Sequence, residues 1–579
     1  MKLLDALETL NKPVIQPVSN RQVSLLCGFT PLHLQTFLAA HLRISFPKSL
    51  VEIRTGLYGD LAGNLERLQL QGASAACIVI EWSDLDPRLG IRSLGSWRAS
   101  DIADIVKSAR QRGERLAQLI KQASEMMPVY ASMPTLPLPP IFITGANQAQ
   151  LDEWKLLEVA AVLAVSLSAA KQIKLINPQR IDEISPLSDR FNPKTGITSD
   201  FPYSLEHASK LAELFVALIK NEQPRKGLIT DLDDTLWSGV LGEAGVDGIC
   251  WEMGSSAHIH GLYQRFLGSL ASAGVLLAVA SKNDLTLVEK ALLRSDLLFS
   301  KESLFPVEAH WNIKSKSVRS ILKAWNILPE DVVYIDDSPI EVAEVQSSFP
   351  TMECIVFPRN DYVAMWELLK RLRERFGKST VSEEDQIRLS SIRRSVAHEN
   401  DEKSFDHGVD NFLRDAEATI TFTLKPDFQD NRAFELINKT NQFNLNGKRL
   451  DQSEWLKKLQ EPGAFLLTAS YQDKYGPLGK IASVMGKCDG PKLLVGFWVM
   501  SCRAFSRRIE HQCLKYLFTK MGAHEIVFDF LATPRNGPIQ DFLGQLLGCV
   551  PSPNSSLRSD SFYAKMPPLH QRVVEGAGD

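Results

Sequence analysis

The stretch GLITDLDDTLWSGVLGE, residues 227–243, decides how the chain is read. An apolar run from Gly227 to Thr230 ends at Asp231, and Asp233 and Thr235 follow at intervals of two. Strand alternation points Asp231 and Asp233 the same way, so two carboxylates can converge on one magnesium ion and one phosphoryl group. In such a pair the first carboxylate attacks phosphorus, and the second protonates the leaving oxygen and later activates water. Alone the pattern is weak, because two acids at a strand end are also ordinary surface residues.

Three further elements follow in order. Ser281 ends the apolar run in GVLLAVASKND (274–284), Lys314 lies in HWNIKSK (310–316), and Asp336 and Asp337 end the run in DVVYIDDSP (331–339). A hydroxyl and an ammonium offset the charge that develops on a transferring phosphoryl group, and the late acids complete a metal site. Lys316 competes with Lys314 for the cationic role. Apolar runs that end in polar residues, alternating with helical segments, imply an α/β domain with a parallel sheet, whose chemistry sits beyond the strand ends.

Outward from this block, QVSLLC (22–27) and ACIVIEW (76–82) read as buried strands, and 101–126 carries helical periodicity, giving an α/β domain over 1–222. The phosphatase-type block takes 223–376. Residues 377–403 turn charged and polar and read as a linker with exposed helix. Residues 404–579 mix strands such as ATITFTL and KLLVGFWVM with helices, an α+β domain. Three domains suit a chain of 579 residues.

Hydrophobic residues at 44% and charged residues at 23% are ordinary for a globular protein. A net charge of −3 without a basic aromatic stripe argues against nucleic acid as partner. Asp5 and Glu8 interrupt the start, and the longest apolar run, 156–170, contains Glu158, so neither a secretory signal nor a membrane span is expected and the location is read as cytoplasmic. The eight cysteines are scattered, without the spacing of a zinc site or a disulfide framework.

With these motifs in place, the chain resembles the haloacid dehalogenase superfamily, subfamily IIIC, and within it the FkbH-like family. The resemblance rests on DLDDTLWSGVLGE, LAVASKND, WNIKSKSVRSI and YIDDSPIEVAEV, and it continues through NKTNQFNLN (438–446), WVMSCRAFSRRIE (498–510) and ATPRNGPIQDFLGQLLG (532–548). It implies a Rossmann-like phosphatase domain with Asp231 as nucleophile and Asp233 as acid/base. Thr235, Ser281 and Lys314 would hold phosphate, and magnesium would sit on Asp231, the Asp233 carbonyl and Asp337 or Asp336. It also implies capture of the acyl group of D-1,3-bisphosphoglycerate as a thioester, removal of the remaining phosphate, and delivery of glyceryl to the phosphopantetheine arm of an acyl carrier protein for polyketide assembly.

The last domain is similar to GCN5-related acyltransferases, whose phosphate-binding turn reads R-x-x-G-x-G. Here Arg503 to Arg508 contain neither glycine, so a carrier-bound arm suits the turn better than coenzyme A. Cys502, at a strand end before Arg503 and a helix, has the surroundings that favour a thiolate. Cys250 is the second candidate. Asn441, Asp473, Arg503 and Asn536 match polar positions of the family motifs as possible acyl-pocket residues. The first domain resembles the SGNH-hydrolase-like unit of this family, but the stretch Cys27 to Thr30 lacks the serine such an enzyme needs, so it is read as non-hydrolytic. Two other functions fit the residues: a magnesium-dependent phosphatase on another small metabolite with a C-terminal domain that only binds, and a carrier-protein scaffold without catalysis.

Overall fold

The computed structural model describes all residues except 15–16, 18, 69–72, 94–97, 140–144, 255–256, 379, 383–384, 394–412, 475, 502–503, 506 and 577–579. Two compact units divide it, Met1–Glu222 with Asp451–Glu454, and Gln223–Leu450 with Trp455–Asp579.

In the first unit, five parallel strands, β1 (Ser19–Cys27), β2 (Ser49–Thr55), β3 (Ala75–Val79), β4 (Val129–Ser132) and β5 (Ile173–Leu175), form a sheet in the order β2-β1-β3-β4-β5. The order reverses between β1 and β3, which opens a crevice at their C-terminal ends. Separate apolar clusters, one around Ile78 and Leu116 and one around Cys77 and Phe37, cover the two faces.

The second unit carries two sheets. Strands β6 (Gly227–Thr230), β7 (Leu276–Ser281), β8 (Leu304–Ala309), β9 (Val332–Asp336) and β10 (Glu353–Val356) run parallel in the order β10-β9-β6-β7-β8. Their side chains divide with period two: Leu228, Leu277, Val279 and Val333 join one core, and Ile229, Leu276, Ala278 and Val332 the other. A sheet buried on both faces explains why these strands read as unbroken apolar runs. Gly227 is needed beneath Trp325, whose ring atoms lie 2.4 Å from where a Cβ would stand.

The remaining sheet is mostly antiparallel, with β11 (Thr419–Leu424), β12 (Phe443–Asn444), β13 (Ala464–Asp473), β14 (Gly476–Asp489), β15 (Lys492–Met500), β16 (Glu525–Phe528), β17 (Ser555–Arg558) and β18 (Arg572–Glu575). Its order is β17-β16-β15-β14-β13-β11-β18, with β12 against β15. The pair β15 and β16 is parallel and joined by the helix Ile509–Met521.

In the stretch read as linker, Asp385, Ser391 and Ile392 are buried, and Arg388 donates to Gly274 O at 2.7 Å. This part packs on the β6–β10 sheet rather than standing free; residues 394–403 fall outside the described ones. Among the described residues no helix is long and apolar enough to cross a membrane.

Candidate active site

Because β6 is buried along its length, Asp231 is the first polar head beyond it, and its amide donates to Ile335 O at 2.9 Å, which pins the strand end to β9. Ser281 ends β7, Asp336 ends β9 with Asp337 next, and Lys314 opens the helix Lys314–Trp325. Asp231, Asp336 and Asp337 each bring an oxygen to a common place, the three atoms within 4.8 Å of one another. Lys314, only 3% exposed, lies among them. Its Nζ stands 2.6 Å from Asp231 Oδ1 and 2.9 Å from Asp336 Oδ2, and donates to Ala280 O at 2.9 Å. Lys316, two residues along the helix, faces solvent.

Burial is the largest influence on Asp231 and pushes its carboxyl up to about 6; Lys314 opposes this and Asp336 adds to it. Burial would lower the Lys314 ammonium, but Asp231 and Asp336 outweigh it and hold it above its ordinary range. Lys314 and Arg359 against three carboxylates leave the cluster acidic. Asp231 Oδ1 faces Lys314 and Asp337 Oδ2 faces Arg359, but neither buried oxygen takes a well-aligned hydrogen bond. Asp336 is already committed, with Oδ2 taking Lys314 and the Tyr334 hydroxyl and Oδ1 taking Ser338 N at 2.9 Å. Convergent hard oxygens with lone pairs to spare fit a magnesium ion, with Asp231 and Asp337 as the carboxylate ligands and Asp336 behind them.

Asp233 is half-buried and held by three donors. Its Oδ1 accepts from Trp237 Nε1 at 3.0 Å and Leu241 N at 3.1 Å, and its Oδ2 from Asn283 Nδ2 at 3.0 Å. The same Asn283 nitrogen donates to Ser281 Oγ at 3.0 Å, so one amide ties the acid of the first motif to the hydroxyl of the second. Asp234 turns the chain in the left-handed region (φ 50°), which an aspartate tolerates, and Thr235 returns to accept from Asp337 N at 3.1 Å. Thr235 thus fixes the loop that carries Asp337. Arg359, from the loop after β10, pairs with Asp337 and lies 3.5 Å from Asp234.

The segment after Thr235 folds back as a flap, through bridges Asp233 to Trp237 and Ser238 to Cys250. Arg294 fastens it, donating to Val246 O at 2.8 Å and Ile249 O at 2.9 Å and lying 4.2 Å over Trp251. Cys250 is half-buried in this flap, its Sγ accepting from Glu252 N at 3.4 Å.

Asn283, Tyr334 and Arg359 escaped sequence reasoning. Asn283 carried a usable signal, since a polar residue two after Ser281 at a strand end projects the same way. Arg359 carried none, because its loop belongs to no motif.

Of the remaining candidates, Asn441, Asp473 and Asn536 are not gathered at the aspartates. Cys502 and Arg503 lie outside the described residues. Asp473, at the end of β13, is buried with Arg507 Nε 3.8 Å away. Asn441 accepts from Arg449. Asn536 needs correction as a pocket residue: it is fully buried, donates to Asn444 O and Leu531 O at 2.9 Å, and accepts from Thr533 N and Gln540 Nε2. With these bonds made, it is a clamp on the backbone. It helps hold the segment Phe443–Asn446 between diverging strands: β16 pairs with β15 only over Lys492–Val495, and Asn446 then donates to both Gly496 O and Asp529 O.

In the first unit, Cys27 donates its thiol to Phe29 O at 3.0 Å, and burial pushes that thiol far up, so it is no substitute nucleophile. His207 is buried and spent on Thr135 and Ser185 at 2.9 Å each, and Glu81 on Thr135 and Tyr203 at 2.6 Å each.

No family model matches the chain, and no curated protein does. Among solved structures, it is similar to the N-terminal part of the protein BF1531 from Bacteroides fragilis, which contains a phosphatase domain and was crystallised complexed with Mg. That likeness has 18% identity and a TM-score of 0.52 and covers 66% of this chain and 100% of the other. At such identity it shows a shared fold alone. An uncharacterized Corynebacterium glutamicum protein matches 27% of the chain at 15% identity, with a TM-score of 0.19 that carries no argument.

Proposed function

We propose that the second unit is a magnesium-dependent phosphatase working through an aspartyl phosphate on Asp231, coupled to acyl transfer. The observation that carries the phosphatase half is the convergence of Asp231, Asp337 and Lys314 on one place, with Asp233 held alongside by three donors. Asp231 attacks phosphorus, and the ester oxygen leaves with the proton of Asp233. Asp233 then takes a proton from the water that cleaves the aspartyl phosphate, releasing inorganic phosphate and freeing Asp231. Lys314 and Ser281 meet the phosphoryl oxygens. Bound magnesium neutralises the carboxylates that would otherwise repel the substrate. The magnesium bound to the phosphatase domain of BF1531 supports that cofactor here.

The acyl half follows from the FkbH-like resemblance. The substrate is D-1,3-bisphosphoglycerate, whose acyl phosphate is activated for attack by the Cys502 thiolate while the other phosphate needs Asp231 and magnesium; the product is a glyceryl unit on an acyl carrier protein. One observation favours the second reading, a phosphatase with a C-terminal domain that only binds: Phe443–Asn446 occupies the gap between β15 and β16 with the chain's own backbone. Intact mass of the carrier after incubation with D-1,3-bisphosphoglycerate separates the two. A glyceryl adduct supports acyl transfer, and phosphate release without an adduct supports the second reading. Full turnover of a simple phosphoester in excess chelator would overturn the metal assignment, and full turnover by Asp231→Asn would overturn the nucleophile.

A further inference from the structure

We infer that the first unit holds a small-molecule site in the crevice where its strand order reverses, for an amphipathic ligand that carries an anionic group and a hydroxyl or amide. A cavity of about 810 Å³ opens there, lined by Gly28 after β1, Asp84 after β3, and Arg112 from the helix Ile102–Met126. Pockets that enclose a whole small molecule run to roughly 300–1,000 Å³. The site lies wholly in the first unit, so the inference goes beyond the phosphatase reading of the second and does not depend on it.

Asp84 carries the argument. It is only 7% exposed, and its Oδ2 accepts from Glu81 N at 2.8 Å, which fixes the carboxyl. Its Oδ1 takes no hydrogen bond among the described residues and lies over Gly28, 1.8 Å from where a Cβ would stand. Glycine at this position therefore lets a buried carboxyl oxygen face the cavity. Such an oxygen costs free energy unless something meets it. Burial is the largest influence on the carboxyl and pushes it up to about 7; the Glu81 amide opposes this and the Glu81 carboxyl adds to it. Both forms are then populated at neutral pH, and a hydroxyl or an amide, each donor and acceptor at once, can meet either.

Arg112 supplies the anion's partner. Its Nε donates to Asp84 O at 3.1 Å, so the guanidinium is tied to the same residue, and the side chain is otherwise exposed. The other lining arginines already have carboxylates: Arg67 has Asp60 at 3.0 Å, Arg115 has Glu66 at 2.6 Å and Arg92 has Asp200 at 3.7 Å. Among the described residues Arg112 has none. The residues of this unit outside the described ones, 15–16, 18, 69–72, 94–97 and 140–144, include no acidic side chain. A phosphate or carboxylate on the ligand matches that guanidinium fork. Leu61, Trp82, Leu89, Leu116 and Leu138 line the same cavity, so the body of the ligand is apolar.

The test is calorimetric titration of the full chain, in chelator, with 4′-phosphopantetheine, which joins a phosphate, a hydroxyl, amides and an apolar dimethyl carbon. Pantetheine lacks the phosphate, and 3-phosphoglycerate lacks the apolar body. We expect 4′-phosphopantetheine to bind at least tenfold more tightly than either. Titration with a holo acyl carrier protein separates the sources: affinity equal to or above that of the free arm marks a carrier, and lower affinity a free metabolite. Arg112→Met, at an exposed position, and Asp84→Leu should each weaken binding tenfold or more. Asp84→Asn, which keeps an acceptor for Glu81 N and an amide towards the cavity, should not. Asp231→Asn should leave the titration unchanged, which keeps binding at the aspartates of the second unit out of the result. Failure of 4′-phosphopantetheine to bind, equal affinity for pantetheine or 3-phosphoglycerate, or affinity within twofold of wild type in Arg112→Met would overturn the inference. Magnesium-dependent hydrolysis of p-nitrophenyl phosphate should be unchanged in the Arg112 and Asp84 variants; its absence in the wild type would strike the phosphatase reading and leave the cavity result standing.

Discussion

Replacing Lys314 by methionine tests the site at its centre. The ammonium has three partners, Asp231 Oδ1 at 2.6 Å, Asp336 Oδ2 at 2.9 Å and Ala280 O at 2.9 Å, and is almost wholly buried. Methionine keeps much of the volume and removes the charge. Breaking a buried ion pair from one side costs about 3–5 kcal/mol, because the stranded carboxylates stay desolvated. For a unit of this size that is a fall of about 4–7 °C in the melting temperature of the second unit, measured in chelator. Millimolar magnesium should recover more of the loss in the variant than it adds to the wild type, since the cation takes up the charge that Lys314 carried. Turnover should fall by about 10²–10³-fold, as for a lost donor to a developing oxyanion. Lys316→Ala should leave both quantities close to wild type. Equal melting of Lys314→Met and wild type in chelator, or a loss of turnover in Lys316→Ala as large as in Lys314→Met, would refute the reasoning.

Asn283→Ala removes one amide that donates to both Asp233 and Ser281; a hydrogen bond to a charged group is worth about 1.5–3 kcal/mol, so kcat/KM should fall about 10- to 150-fold with magnesium affinity unchanged by titration. Burial would raise the Asp385 carboxyl, but Arg388 and Lys378 override it and hold it down at about 2. Asp385 should then contribute about 2 kcal/mol that is present above its unfolded value near 3.8 and lost as pH falls towards 2, and Asp385→Asn should flatten that part of the unfolding profile. Asp231→Asn with D-1,3-bisphosphoglycerate should stop at a phosphoglyceryl thioester, and Cys502→Ala should leave the carrier unloaded while hydrolysing a simple phosphoester; mass spectrometry reads both, and normal loading by Cys502→Ala would remove that cysteine from the mechanism.

The cluster at the strand ends was legible where its contributors follow apolar runs, because a parallel sheet brings such run ends to one edge whatever lies between them. Asp231, Ser281 and Asp336 needed only the rule that strands end where polarity begins. Lys314 needed the helix that follows, and there sequence left Lys316 as a rival; about half a turn of helix puts the buried ammonium and the exposed one on opposite faces. Tyr334 and Arg359 were not legible. The first looks like any core aromatic until its hydroxyl meets Asp336, and the second acts from a loop fixed only by tertiary packing. Asn536 shows the opposite error: its motif position suggested a pocket, but an amide that satisfies four backbone and side-chain partners is also what a tight turn between strands requires. The charged composition after residue 376 misled for a related reason, because Asp385, Arg388 and Lys378 are polar in sequence yet pair with one another against the sheet.

The arrangement of the second unit constrains how two chemistries on one chain would cooperate. Asp231 and Asp337 lie at the C-terminal edge of the parallel sheet, whereas Ser501 lies with Lys226 and Leu276 at its N-terminal edge. The strands between them are buried on both faces, so no passage runs through the sheet. A group held at the Ser501 edge would have to travel roughly 16 Å or more, the length of a five-residue strand, around the domain to reach the other, farther than any side chain extends. Coupling would therefore need a long flexible arm or release and recapture. These routes differ in one respect: an arm protects the intermediate from dilution and release does not. With the carrier in place, an arm predicts loading insensitive to an added trap for free phosphoglyceryl species, and release predicts loading that falls as the trap is raised.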